Sequence, residues 1–326
     1  MLETISFMVI EYILFVIGIY LLVKSADAIV DGSSTLAKNL GVSTLIIGLT
    51  VVAFGTSLPE LVVNIIAVLN GSSEIVFGNI IGSNMANILL VLGVSAIVGK
   101  VSIKIPTVWK QIPFALFAAF ILFVLSGRIF LEGDVSYLNK TDGLILLSFF
   151  GVFLYYIFQK MREDKSRLEI EDHFEHSNKE IVLKLFFGLI GIYFGGRWVV
   201  DGAIFIASQL GVGEFLISAT IIALGTSLPE LAVGINAVRK GKTDLAVGNV
   251  IGSNIFNILL VMGIVPLINS VAIPSFVLFD IALMFFATLL LFIFMFIGPK
   301  RELWKKEGIV FVLLYVFYII YLIGRI

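Results

Sequence analysis

Residues 55–61 read Gly-Thr-Ser-Leu-Pro-Glu-Leu, and residues 225–231 repeat the same seven residues. The offset between the copies is 170 residues, and it holds well beyond the copied stretch. It relates GNIIGSN at 78–84 to GNVIGSN at 248–254, and NILLV at 87–91 to NILLV at 257–261. It also relates Asp31-Gly32 to Asp201-Gly202 and Thr50 to Thr220. Matches held in one register over that length mark an internal duplication.

The composition says what kind of chain has been duplicated. Of 326 residues, 59% are hydrophobic and only 14% charged, against about 25% charged in soluble proteins. Mean hydropathy is +1.09. The apolar residues fall into blocks long enough to cross a bilayer, which takes about 20 residues of helix. Spans are expected near 5–24, 42–69, 74–98, 111–126, 141–159, 181–200, 213–238, 244–268, 275–297 and 307–324. A net charge of −1 gives no pointer to nucleic acid, and the absence of cysteine excludes disulfides, thiolate zinc sites and cysteine nucleophiles. His173 and His176 sit in the polar stretch 160–180 and read as solvated. The N-terminus lacks a basic region and runs straight into the first span, so no cleaved signal peptide is expected.

Ten spans can be oriented by their basic residues. With the N-terminus outside, only Arg128, Lys140, Arg197 and Arg325 of the 22 Lys and Arg fall on the outer side. The rest face inward, a strong positive-inside asymmetry. The predicted organisation is a first five-span repeat at 1–159, a cytoplasmic linker at 160–180 and a second five-span repeat at 181–326. Five is odd, so the two repeats are inverted across the bilayer. The expected fold is therefore an all-α polytopic membrane protein of ten transmembrane helices. Inverted repeats of this kind place a substrate site near the midplane, at the repeat interface.

Glu60 and Glu230 each lie inside an apolar block, where an ionised carboxylate is costly and marks function by default. No Lys or Arg of matching depth is available as a partner, so the pair points to an external cation, a metal ion or a proton. Pro59 and Pro229 each lack an N–H and clash with the carbonyl four residues back. With Gly-Thr-Ser before them, they predict interrupted second and seventh helices. Such a break offers carbonyl oxygens on one side and a positive helix N-terminus on the other.

Thr56, Ser57, Thr226 and Ser227 add hydroxyls at the breaks. Asn79, Ser83 and Asn87 recur every four residues, as do Asn249, Ser253 and Asn257, so each set shares a helix face. A hard cation such as Ca²⁺ takes six to eight oxygens at about 2.3–2.6 Å. The lack of His and Cys argues against a zinc or copper site. Blander readings remain for some of these residues. Gly78-x-x-x-Gly82 and Gly248-x-x-x-Gly252 also read as close-packing faces. Asp27, Asp31 and Asp201 read as surface or capping residues, while Asp280, near the start of the ninth span, is open to an interfacial reading and is assigned no role.

The pairing of GTSLPE with GNxIGSN, once in each half, resembles the α-repeats of the cation/calcium exchanger superfamily, and most of all the prokaryotic sodium/calcium exchangers. The resemblance covers essentially the whole chain. It implies that Glu60 and Glu230 are the central carboxylates for Ca²⁺ and also take part in Na⁺ coordination. It implies that Thr56 and Thr226 serve the calcium site, largely through backbone oxygen. Ser57, Ser227, Ser83 and Ser253 match side chains around flanking sodium sites, Ala53 and Ala223 match carbonyls completing them, and Asn87 matches an amide ligand. Asn257 stands where some relatives, including potassium-dependent exchangers, carry an aspartate, which puts K⁺ co-transport in doubt.

The expected function is a secondary antiporter that expels Ca²⁺ at the expense of the Na⁺ gradient by alternating access. The alternatives are a Ca²⁺/H⁺ or K⁺-dependent Na⁺/Ca²⁺ antiporter and a cation channel. An intramembrane enzyme lacks support, because there is no spanned His, no Ser-Lys pair at matching depth and no metalloprotease helix motif. No cofactor is expected. The partners are the transported Ca²⁺ and Na⁺ and the lipid bilayer of a prokaryotic plasma membrane.

Overall fold

Few helix breakers interrupt the chain's first forty residues, and they form one helix, α1, Leu2–Leu40. It runs well past the expected apolar span and carries Asp27 and Asp31 on its last turns. The computed structural model describes residues 2–127, 136–167, 178–210, 223–274, 277–297 and 301–324. His173, His176 and the beginning of the expected seventh span lie outside them.

The break foreseen at Pro59 is present. Thr44–Thr56 (α2) and Leu58–Leu69 (α3) meet at an angle of 42°. Ser57 stands between them at φ −89°, ψ 2°, and Pro59 occupies the first turn of α3, where its missing N–H costs nothing. The next helices are Ser73–Val98 (α4), Thr107–Ser126 (α5), Lys140–Arg167 (α6) and Asn178–Gln209 (α7). Thus α5 starts four residues before its expected apolar block, and α6 continues beyond residue 159 into the stretch expected as linker. The second break repeats the first. Ala223–Gly225 (α8) and Leu228–Arg239 (α9) flank Ser227 at φ −92°, ψ 3°. Thr243–Ile268 (α10), Val277–Phe294 (α11) and Lys305–Gly324 (α12) complete the chain. Among the described residues, eight helices are long and apolar enough to span a membrane, and the bent pair α2–α3 makes nine.

The duplication extends to hydrogen-bond register. Inside α4, residues Ala86–Val91 form a wide π turn, and inside α10, Phe256–Val261 do the same at the same 170-residue offset. Both follow the GNxIGSN stretch directly and contain Asn87 and Asn257.

The repeats interlock. α1 and α7 lie against each other along their length, while α2 packs on α10, and α9 on α4 and α10. α6 of the first repeat packs on α10 of the second, and α12 packs on α4. Glycine allows both of these crossings, because a Cβ on Gly308 would lie 2.5 Å from the Gly93 carbonyl and one on Gly143 would lie 2.6 Å from that of Gly263. Gly248 and Gly252 meet the backbone of α2 as a close-packing face should, whereas a Cβ on Gly78 or Gly82 would meet no described atom within 4 Å.

Contacts between loops sort the helix ends onto two faces. Val101–Ser102 (β1), Tyr137–Leu138 (β2), Val271–Ala272 (β3) and Glu302–Leu303 (β4) form two antiparallel pairs, β1 with β4 and β2 with β3. Thr243 Oγ1 donates to the Ser102 carbonyl on the first face, and Ala272 N–H donates to Ser73 Oγ on the second. Ser73 and Thr243, like Ser102 and Ala272, are 170 residues apart, so one contact is the other turned over. The first face also holds Lys104 against Asp244, Ser43 N–H on Asp164, and Lys240 2.9 Å from both Asp27 and Asp31 of α1. Asp27 and Asp31 are thus surface ion-pair residues, and Asp201 pairs with Arg197 one turn away. Asp280 lies in the first turn of α11 and is 4% exposed.

Candidate ion-binding site

The two breaks bring their glutamates into one buried region between the repeats. Glu60 and Glu230 lie in the first turns of α3 and α9, each 1% exposed. A helix N-terminus favours negative charge there. Among the described residues no lysine, arginine or histidine contacts either carboxylate.

Cross-repeat hydrogen bonds knit this region in matched pairs. Thr56 Oγ1 lies 3.3 Å from Ser253 Oγ, and Ser83 Oγ lies 3.3 Å from Thr226 Oγ1. Each contact is the other displaced by one repeat. Ser253 Oγ donates to Glu230 Oε1 at 3.3 Å, and Thr56 Oγ1 also reaches Asn249 Oδ1 at 3.2 Å. Thr56, Ser253 and Glu230 therefore form a chain across the repeat interface, with Asn249 at its edge.

Other expected ligands are buried but not tied in. Ser57 Oγ and Ser227 Oγ, at the breaks, have no hydrogen-bond partner among the described residues, and neither have the two oxygens of Glu60, Glu230 Oε2 or Asn87 Oδ1. Asn257 is fully buried with neither amide atom partnered. The Ala53 carbonyl accepts the Ser57 N–H at 3.0 Å, whereas Ser227 N–H bonds Leu224, three residues back, and passes over the carbonyl of Ala223. An unsatisfied buried polar group costs about 1–3 kcal/mol. A set of oxygens sharing that condition, three of them on the two carboxylates, has the donor chemistry of a hard-cation site. No group of three or more His, Cys, Asp and Glu occurs among the described residues, so neutral oxygens must supply most of any coordination shell.

Three asparagines were not among the expected ligands. Asn64, one turn beyond Glu60, donates to the Glu60 carbonyl at 2.7 Å. Asn84 and Asn254, the closing residues of the two GNxIGSN stretches, are also buried. Their repetition at the common offset was the available signal. Beside the first break a cavity of about 310 Å³ is lined by Gly55, Thr56, Pro59, Leu189, Tyr193 and Pro229 among others, so α7 roofs the approach to Thr56.

Inverted repeats, broken helices and a buried carboxylate pair define a membrane protein of the secondary-transporter class. The sequence matches the sodium/calcium exchanger protein family over residues 10–159 and 181–324. It is 36% identical to a putative antiporter, CaxA, of Alkalimonas amylolytica, covering 95% of this chain and 98% of that protein. It is 33% identical to the sodium/calcium exchanger MaX1 of Methanosarcina acetivorans, covering 96% and 98%. A solved structure of the sodium-calcium exchanger NCX_Mj, soaked with 10 mM Na⁺ and no Ca²⁺, superposes with a TM-score of 0.80 at 32% identity, covering 96% of this chain and 98% of that one. The chain belongs to the sodium/calcium exchanger family and is an integral membrane protein.

Proposed function

We propose that this protein exchanges Na⁺ for Ca²⁺ by alternating access and expels Ca²⁺ at the expense of the inward Na⁺ gradient. The observation that carries this reading is the Glu60–Glu230 pair, buried at the repeat interface among partnerless oxygens and without a basic residue. Two carboxylates neutralise one Ca²⁺, or they hold several Na⁺ with surplus positive charge, so the two substrates compete for one charge. Glu60, Glu230, Thr56 and Thr226 serve Ca²⁺ in this reading. Ser57, Ser227, Ser83 and Ser253, with the carbonyls of Ala53 and Ala223, serve Na⁺ on either side. Asn87 and Asn257 contribute amide oxygens. Asn257 adds no third charge, which favours exchange without K⁺. The long antiparallel packing of α1 on α7, over a core of α2–α4 and α8–α10, supports a sliding pair that opens one side at a time. The N-terminus lies outside in this reading, with the 160–180 stretch cytoplasmic.

The test is Ca²⁺ uptake into vesicles loaded with Na⁺, against K⁺ and choline controls and with separate K⁺ and pH gradients. Uptake driven by outward Na⁺ alone is expected. Uptake that needs K⁺ or a proton gradient selects the alternative antiporters, and flux without a counter-ion selects a channel.

A further inference from the structure

The two asparagines that close the GNxIGSN stretches are equivalent in sequence but differ in what they do. Asn254, 2% exposed on α10, crosses the repeat interface. Its Nδ2 donates to the backbone carbonyl of Asn84 on α4 at 3.4 Å, and its Oδ1 accepts from Asn87 Nδ2 at 3.0 Å. Asn84 instead turns back along its own helix and donates to the Ile80 carbonyl at 2.6 Å. Among the described residues, none of the first repeat does for Asn257 what Asn254 does for Asn87, and both amide atoms of Asn257 are without a partner there.

This chain of bonds can run in only one direction. A backbone carbonyl accepts and never donates, so the Asn84 carbonyl must face the NH₂ of Asn254. The oxygen of Asn254 then faces Asn87, which can meet it only with its own NH₂. The Asn87 oxygen is thereby turned away, buried and without a partner among the described residues. An amide turned the other way would offer its NH₂, which repels a cation. We propose that Asn254 is a positioning residue that fixes the Asn87 carboxamide with its oxygen open to the transported cation. The proposal rests on the exchange reading above. It assigns to the last residue of the second GNxIGSN stretch a role in ion affinity exerted through a residue of the opposite repeat.

Residues that orient a metal ligand through a hydrogen bond typically change metal affinity on the order of 10–100-fold when removed. The experiment measures Na⁺-driven Ca²⁺ uptake in vesicles for Asn254→Leu, Asn254→Ser, Asn87→Ala and each double variant, with thermal stability recorded alongside. Leu keeps the branched outline of Asn, with the same number of side-chain heavy atoms, but without its polar atoms. Ser is polar but too short to reach both partners, and it keeps the test open where Leu does not fold. Either change at 254 is expected to raise the half-saturating Ca²⁺ concentration roughly tenfold with little change in maximal rate. In the Asn87→Ala background the same change should add nothing, because its effect passes through Asn87. A wild-type half-saturating concentration in a folded Asn254 variant overturns the proposal, as does an equal added loss in the Asn87→Ala background. Wild-type vesicles that show no Na⁺-driven uptake overturn the exchange reading itself, a result distinguishable from both.

Discussion

Glu60 and Glu230 differ in their immediate surroundings although their sequences are copies. Glu230 receives the Ser253 hydroxyl, while neither oxygen of Glu60 has a hydrogen-bond partner among the described residues. Glu60→Gln and Glu230→Gln each halve the negative charge of the pair. Either change is expected to lower Ca²⁺ uptake at least about a hundredfold, while thermal stability holds or rises because a buried charge is gone. Vesicle flux beside a melting curve reads both effects, and wild-type flux in the two variants would remove these carboxylates from the site. Their position was legible in the sequence because an acid in an apolar block needs no partner to be noticed. Thr56, Ser83, Thr226 and Ser253 were legible through repetition. Asn254 was not, because its importance lies in bonds to Asn84 and Asn87, and spacing along one helix carries no trace of a contact to another repeat.

Pro59 shows what a single residue does to an element. Replacing it with Ala restores an N–H in the first turn of α3 and a helical partner for the carbonyl of Gly55. Pro59→Ala is expected to reduce the 42° bend and to lower uptake roughly tenfold, with melting temperature unchanged or higher. Retained full flux would separate the break from transport. Lys240 ties the turn after α9 to Asp27 and Asp31 of α1. Partial burial opposes its charge, but the hydrogen bonds that it donates to Asp31 and Asp27 prevail and hold the ammonium above the ordinary lysine value. The equivalent place in the first repeat is Asn70, and Asp31's counterpart Asp201 is engaged by Arg197. The tie thus exists at one face only. Exposed pairs contribute about 0.2–1 kcal/mol each, so Lys240→Gln is expected to shift the balance between the two access states a few-fold. Because the chain has no cysteine, the labelling rate of one introduced on α1 reports that shift directly, and an unchanged rate would dismiss the tie. Long apolar blocks made the spans legible. The ends of α1, α5 and α6 were not, because a helix can continue into polar sequence once its neighbours hold it.

At the scale of the whole molecule, parity decided the architecture before any contact was known. An odd number of spans between equivalent motifs required inversion, and the contacts of Ser73 with Ala272 and Thr243 with Ser102 display it on opposite faces. The sidedness is open to direct measurement. A cysteine at Ser72 is expected to react with an impermeant maleimide from outside intact cells, and one at Lys242 only after the membrane is opened. Equal reactivity at both would contradict inversion. The interlocking of α6 on α10 and α12 on α4 could not be read from hydropathy, which reports depth in the bilayer but not neighbours. The paired π turns carry a further consequence, and it concerns ancestry. A π turn holds one residue more than the α turn it replaces. The turns at Ala86–Val91 and Phe256–Val261 keep the common offset of 170 residues, and no insertion separates the copies between GTSLPE and NILLV. The extra residue was therefore already present in the single ancestral half before it was copied.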